Sequence, residues 1–194
     1  MLPKTKLEKL YKSGLSMKEI SERTGWKYEK IVYWMRKYGI PRRSRSAATY
    51  LKRNPKGDPF RIKTKLNKNE ILLKGIGLGL YWGEGDKSEH VGVRISNSDP
   101  KLIKKFKEFL IKICGVKKEK FRYSLTIFND SNKEKAIEFW TKNLKIKKNQ
   151  LGKVTVIPPQ GKGIYRKKNE FGVLLICVNN KKLKEKVLGM IESI

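Results

Sequence analysis

The sequence contains little cysteine and almost no histidine, and this scarcity limits the chemistry available to the chain. Its two cysteines, Cys114 and Cys177, lie in apolar stretches far apart in the sequence. We therefore expect reduced core thiols and no zinc site. His90 is the single histidine. A metal site built from several histidines is therefore excluded, and nothing in the sequence indicates a serine–histidine catalytic triad.

The sequence also lacks any hydrophobic run long enough to span a membrane, and neither a signal peptide nor a lipidation motif is recognisable. These absences predict a cytoplasmic, nucleoid-associated protein without a membrane partner. No pattern in the sequence indicates a small-molecule substrate.

Acidic residues are scarce as well, because 18 Asp and Glu stand against 47 Lys and Arg, for a formal net charge of +29. Such an excess indicates a polyanionic partner, and nucleic acid is the leading choice. A membrane surface is the alternative polyanion. Charge alone is equally typical of a ribosomal or chromatin protein.

The stretch from Leu73 to Lys87 is unusual because it combines an apolar helix pattern with closely spaced glycines. A glycine inside a helix costs roughly 0.5–1 kcal/mol relative to alanine, so the pattern needs a compensating reason. Three of these glycines lie four residues apart and share one helical face, which would let a second helix approach closely. They are Gly75, Gly79 and Gly83.

Glu84 stands at the C-terminal end of this predicted helix, followed by Gly85 as an expected left-handed cap and by Asp86. A carboxylate at the negative end of the helix dipole favours a bound cation. If the glycine face packs on its own copy, two Glu84 side chains approach each other, and Mg²⁺ is typically held by one or two carboxylates with phosphate oxygens. The alternative is a buried glycine-rich packing helix with a solvated glutamate.

The segment GLGLYWGEG (Gly77 to Gly85) resembles the LAGLIDADG motif of homing endonucleases, with Glu84 at the penultimate acidic position. The following VRISNSDPKLIKKF (Val93 to Phe106) is similar to that family's continuation. The resemblance implies that the motif helix forms a homodimer interface and that Glu84 binds a catalytic Mg²⁺ or Mn²⁺. It also implies a roughly palindromic double-stranded DNA target. Trp82 replaces an earlier aspartate of the motif, at a variable position.

Residues 1–45 predict three short helices, with a capping box at Ser16 and Glu19 and a turn at Gly25. The pattern resembles a helix-turn-helix of the resolvase type, in which the start of the third helix, from about Trp26 to Tyr38, enters the major groove. A helical protein-interaction module is the alternative. The candidate DNA contacts are Trp26, Lys27, Tyr28, Lys30 and, one turn on, Tyr33 or Lys37.

A basic arm follows directly, and Arg42, Arg43 and Arg45 could enter the minor groove or track phosphates. A solvated hinge is the alternative. Residues 46–68 are predicted to be a basic linker, although a helix could extend over Thr49 to Arg53.

Residues 69–194 predict the order helix, strand, helix, strand, helix, strand, strand, helix. The fold class is therefore α+β: a three-helix helix-turn-helix followed by a LAGLIDADG-like α/β domain with an antiparallel or mixed sheet. This order departs from the two paired hairpins of the resembled fold. The loop from Gln160 to Gly163 could approach a nucleic-acid backbone closely. The DNA-facing set on the strands is expected to be Arg122, Ser124, Lys153, Thr155 and Arg166.

Three function classes follow. The chain is a metal-dependent DNA endonuclease with Glu84 as catalytic residue and metal ligand, or a catalytically inactive DNA-binding transcriptional regulator, or a protein that binds RNA or ribosomes through charge. The carboxylate favours the first, because a pure binder gains nothing from an acid that faces phosphates. The third predicts stacking aromatics on a sheet, which the strand pattern supplies only weakly.

Overall fold

The computed structural model describes residues 2–88, 91–158 and 169–193. The chain divides into two compact units, Met1–Pro59 and Phe60–Ile194. His90, Arg166 and the loop from Gln160 to Gly163 lie outside the described residues. No helix in the described ranges is long and apolar enough to cross a membrane.

The N-terminal unit consists of four short helices: α1 (Lys4–Lys12), α2 (Met17–Thr24), α3 (Tyr28–Lys37) and α4 (Arg45–Arg53). The predicted capping box opens α2, since the Ser16 hydroxyl accepts from the Glu19 N–H at 3.1 Å while Glu19 accepts from the Ser16 N–H at 2.7 Å. Gly25 closes α2 in the left-handed conformation with φ +72°. The core consists of Leu2, Leu7, Tyr11, Ile20, Ile31, Met35 and Ile40.

Two boundaries in this unit differ from the sequence prediction. The third helix begins at Tyr28, so Trp26 and Lys27 precede it. The predicted linker, residues 46–68, is partly helical, because α4 occupies Arg45–Arg53 with the Ser44 hydroxyl as its N-terminal cap. Arg45 is thus a helix residue.

The C-terminal unit contains α5 (Lys68–Glu84), β1 (Val93–Asn97), α6 (Pro100–Lys112), β2 (Phe121–Phe128), α7 (Lys133–Leu144), β3 (Leu151–Ile157), β4 (Val173–Val178) and α8 (Lys181–Glu192). This confirms the predicted α+β class and the order of elements. The four strands form one mixed sheet in the order β1-β4-β2-β3, where β2 and β3 are parallel and the other pairs are antiparallel. Since β4 pairs between β1 and β2, no two described strands that are consecutive in the chain form a hairpin; β2 and β3 pair in parallel and are joined through α7.

The segment 60–66, also assigned to the linker from the sequence, belongs to this unit. The Arg61 N–H donates to the Cys114 carbonyl at 3.0 Å, and the Lys63 N–H donates to the Ile113 carbonyl at 2.8 Å. Phe60, Ile62 and Leu66 pack against the core. The second unit therefore begins before the predicted boundary at residue 69.

One face of the sheet carries the core. Phe121, Tyr123, Leu125 and Ile127 alternate along β2 into a cluster that also contains the buried residues of α5 to α8. Successive side chains of a strand point to opposite faces, so the intervening residues lie on the other side. We call that side the open sheet face; its polar members are Arg94, Ser96, Arg122, Ser124, Thr126 and Thr155.

Cys177 also lies on the open sheet face, which the sequence did not predict. Both cysteines are free and buried, but only Cys114 belongs to the core cluster. Cys177 is in register with Arg94 on one side and with Arg122 on the other. Burial raises the pKa of its thiol, against an opposing effect of the two arginines.

Candidate functional site

The buried face of α5 sets the direction of its other faces. Gly77 packs on Phe109, where an added Cβ would lie 2.1 Å from the ring, so only glycine allows α5 and α6 this close approach. Leu73, Leu78 and Tyr81 complete the buried face. At Gly77, the close packing of α5 on α6 therefore compensates for the cost of a glycine inside a helix.

The three predicted interface glycines lie on the outer face of α5. Gly75, Gly79 and Gly83 are exposed, and a Cβ added at any of them would meet nothing within 4 Å among the described residues. Large apolar side chains flank them, with Leu72 and Trp82 each 64 % exposed. Within the C-terminal unit, the described residues therefore leave a flat apolar stripe on α5 uncovered.

Glu84 is the last residue of α5 and is exposed. It stands seven residues after Gly77 and thus on the same side of the helix, the side of its own sheet and not of the glycine stripe. Beside it opens a shallow pocket of about 390 Å³ that reaches the open sheet face. The pocket is lined by Glu84, Gly85, Asp86, Arg94, Ile95, Ser96 and Leu175.

Gly85 leaves the helix in an extended conformation, with φ −76°, and not as the expected left-handed cap. Its backbone bridges to Ile95 of β1. A Cβ at this position would lie 2.3 Å from the Tyr81 carbonyl oxygen and against the Tyr81 ring. Glycine is required here by this contact, which a sequence pattern cannot reveal, and not by a positive φ.

Asp86 fixes the end of α5 to the sheet. Its carboxylate accepts from the Ser88 N–H at 2.8 Å, from the Ser88 hydroxyl, and from Arg94 through Nε at 2.8 Å and through Nη2. The Ser88 bonds and then the Arg94 guanidinium hold the pKa of Asp86 well below its usual range. The Tyr81 hydroxyl donates to the Asp86 carbonyl at 2.9 Å. Asp86 is thus an ionised positioning group with its oxygens occupied.

Glu84 differs from Asp86 in that no described residue donates a hydrogen bond or forms an ion pair with its carboxylate. The last turn of α5 contains no basic residue. Lys87 does approach the helix end, but it donates to the Trp82 carbonyl at 2.6 Å. A free carboxylate at the negative end of a helix dipole is a favourable position for a cation.

Glu84 supplies only one protein ligand for such a cation. Within the described ranges, no group of three or more His, Cys, Asp or Glu side chains lies close enough to hold a metal ion. The donor type fits Mg²⁺ or Mn²⁺, which prefer oxygen and commonly combine one or two carboxylates with water and phosphate oxygens. The remaining ligands would have to come from outside the described residues.

Lys184 is a functional candidate that the sequence analysis did not single out. It is 3 % exposed, and its Nζ donates to the Ser88 carbonyl at 2.6 Å, so α8 braces the turn that holds Asp86. Desolvation lowers its pKa. The sequence did contain a sign that Lys184 is buried: it lies three residues before Val187 and thus on the buried stripe of α8. Arg94 was also missed, although the alternation with Val93 and Ile95 placed it on the open sheet face.

Three of the five strand residues predicted to contact DNA lie together on the open sheet face. Arg122 lies on the open sheet face and is exposed, with Nη1 donating to the Glu119 and Phe121 carbonyls at 2.8 and 2.9 Å. Ser124 and Thr155 lie on the same face, on β2 and β3. Lys153 is exposed where the register between β2 and β3 shifts. Arg166 lies outside the described residues.

In the N-terminal unit, Lys27, Tyr28 and Lys30 are exposed around the start of α3. Trp26 is half-buried against the core, and the Ser21 hydroxyl donates to its carbonyl at 2.6 Å. Its role is thus at least partly packing. Tyr33 is 57 % exposed and has the Lys37 ammonium 5.9 Å from its ring centroid.

Arg43, which the sequence predicts to contact DNA, has a structural role within the N-terminal unit. Its guanidinium donates to the carbonyls of Tyr11, Gly14 and Leu15 and lies 3.9 Å from the Tyr11 ring centroid. These bonds use the planar fork of donors to satisfy the end of α1. Of the predicted arm, only Arg42 and Arg45 are exposed.

Comparison with known proteins gives no relative: no protein-family model, no curated protein and no solved structure matches this chain.

Proposed function

We propose that the chain is a homodimeric, sequence-specific DNA-binding protein of the LAGLIDADG type that hydrolyses phosphodiester bonds in double-stranded DNA with Mg²⁺ or Mn²⁺. The observation that supports this proposal is the Glu84 carboxylate, which has no hydrogen-bond or ion-pair partner among the described residues. It ends the glycine-rich helix α5 beside a pocket that opens onto a sheet face with Arg94 and Arg122.

Different side chains of the chain have different roles in this proposal. Arg122 and the hydroxyls of Ser124 and Thr155 are suited to phosphate and sugar contacts on the open sheet face. Arg94, held by Asp86, keeps a positive charge beside the pocket. Glu84 holds the cation, and a divalent cation bound there supplies Lewis-acid stabilisation of the leaving oxygen and a water of lowered pKa.

The homodimer is proposed through the outer face of α5. Gly75, Gly79 and Gly83 present no side chains, and the flanking Leu72 and Trp82 supply apolar surface that a second copy would remove from water. Each copy contributes its own Glu84 to the duplex, so the two strands of a palindromic site would each meet one carboxylate.

The N-terminal unit is proposed to be a helix-turn-helix in which the start of α3 reads bases. The exposed side chains of Lys27, Tyr28 and Lys30 support this assignment, as does the glycine turn at Gly25. Exposed Arg42 and Arg45 would contact phosphates.

A second function is favoured by a separate observation. Among the described residues, Glu84 is the one carboxylate proposed to hold a cation, and no group of three or more metal-binding side chains surrounds it. A catalytically inactive transcriptional regulator with the same DNA-binding surfaces fits this sparse donor set. RNA binding is less well supported, since Phe121 and Tyr123 are buried on the core side of the sheet and cannot stack on bases.

The test is a binding-site selection from a random duplex library, followed by incubation of the selected duplex with Mg²⁺ or Mn²⁺. We expect both strands to be cut within or beside the selected sequence. Ca²⁺ should support binding without cleavage, because its looser coordination tolerates other geometries. A duplex that is bound tightly but stays uncut in Mg²⁺ and Mn²⁺ would favour the regulator.

A further inference from the structure

A pocket lined by lysines lies on the helical side of the sheet, away from the open sheet face. It has a volume of about 410 Å³ and is formed by α6, the end of α7 and the segment before β2. Lys107 lies over the ring of Tyr123, which faces the core, and this contact places the pocket on the helix-covered side. The basic lining residues are Lys104, Lys107, Lys112, Lys118 and Lys145.

Four of these lysines have no acidic partner among the described residues. The single carboxylate in the lining, Glu108, is engaged by Lys105 at 3.0 Å and by Lys112 at 2.8 Å. Lys104, Lys107, Lys118 and Lys145 form no ion pair in the part of the chain that the structure describes. Like charges gathered around one cavity repel each other unless an anion lies between them.

Lys107 is held inside this cluster by the fold. Its side chain is half-buried and donates from Nζ to the Leu144 carbonyl at 3.0 Å, at the C-terminal end of α7. Burial, with a smaller contribution from Lys118, lowers the pKa of Lys107. Lys145 follows in the left-handed conformation, with φ 49°, which is uncommon for a residue with a side chain. The pocket thus combines one half-buried cation, Lys107, with three exposed cations at its rim.

We propose that this pocket binds a phosphate group, as a second anion site separate from the open sheet face. Several ammonium groups around one cavity match the charge and the multiple acceptor oxygens of phosphate, and Asn143 adds an amide to the lining. The phosphate comes either from a nucleic-acid backbone, which would let one chain contact a second segment of nucleic acid, or from a free phosphate ion. This inference does not depend on cleavage or on Glu84.

The test uses the full chain with a double variant, Lys104→Gln with Lys118→Gln, whose exposed positions allow folding. The matched control, Lys133→Gln with Lys135→Gln, removes the same charge from two exposed lysines at the start of α7. Melting temperature is compared in sodium phosphate and sodium chloride at equal ionic strength. A bound ligand stabilises the folded state, so phosphate should raise the melting temperature of the native chain and the control more than that of the pocket variant.

A second measurement identifies the source of the phosphate. The affinity for a duplex of random sequence is measured against salt concentration, where the slope counts the phosphates neutralised. If the phosphate belongs to nucleic acid, the pocket variant should lose about two units of slope and the control should lose less. An unchanged slope together with the lost phosphate stabilisation identifies a free phosphate ion. Equal stabilisation of the native chain and both variants by phosphate, or none in any of them, would overturn the proposal.

Discussion

At the scale of single residues, two neighbouring carboxylates have opposite roles. Asp86 is saturated by Ser88 and Arg94, whereas Glu84 is free of partners among the described residues. The resemblance singles out Glu84, but the sequence cannot show that Asp86 is ion-paired, because that contact depends on the fold bringing Arg94 beside Asp86. Asp86 fixes the turn that directly follows α5, and Glu84 is the last residue of that helix.

The pH dependence of Asp86 follows from its lowered pKa. A carboxylate whose pKa is depressed by folding stabilises the folded state above its unfolded pKa of about 3.9, and this stabilisation is lost as the pH falls below that value. We therefore expect Asp86→Asn to lower the denaturant midpoint at pH 7, with the difference from the native chain narrowing below about pH 4. A constant difference from pH 7 to pH 3 would contradict the role assigned to the Asp86 charge. Glu192→Gln, at the exposed end of α8, is the control.

At the scale of elements, features that depend on residues close in the chain can be predicted from the sequence, whereas contacts between distant segments cannot. The capping box at Ser16 and the helix start at Asp99 and Pro100 are visible in sequence because their bonds join residues close in the chain. The alternation in β2 is visible for the same reason. The insertion of β4 between β1 and β2 is not, since strand pairing is decided by contacts between distant segments. The three carbonyls bound by Arg43 are hidden in the same way.

Two glycines of α5 offer a matched pair of substitutions. Gly79→Leu points into open space on the outer face, so each chain should stay folded while the dimer dissociates because the added side chain separates the helices. Gly77→Ala collides with Phe109 and should instead destabilise the fold of each chain, by roughly 1–3 kcal/mol. Analytical ultracentrifugation and thermal unfolding separate the two effects. A native protein that sediments as a monomer at micromolar concentration would contradict the interface.

Substitution of the lysines at the start of α3 tests whether this segment reads the DNA sequence. We expect Lys27→Ala and Lys30→Ala to weaken binding and to relax the sequence preference in a binding-site selection, because contacts to base edges carry the specificity. Lys9→Ala, at an exposed position of α1, should leave the preference unchanged. Equal weakening on all sequences by all three variants would mean that α3 contacts only the backbone.

At the scale of the whole molecule, a net charge of +29 gives affinity for nucleic acid but does not by itself indicate a reaction. Binding to nucleic acid should be strong at low salt and fall steeply as salt rises, whatever the function. Affinity alone cannot therefore distinguish a nuclease from a regulator. The distinction depends on the Glu84 carboxylate, because an acid that faces phosphate contributes nothing to binding unless it holds a cation.

The most direct test of the proposed activity is to measure whether the Glu84→Gln variant cleaves DNA. Glutamine keeps the shape of the side chain and removes the charge that would hold the cation, while the cationic surfaces remain. On the selected duplex with Mg²⁺, we expect the native protein and the Glu192→Gln control to cut and Glu84→Gln to bind as tightly without cutting, because unassisted phosphodiester hydrolysis is extremely slow. Cleavage by Glu84→Gln at the native rate would contradict the assignment of the metal site to Glu84.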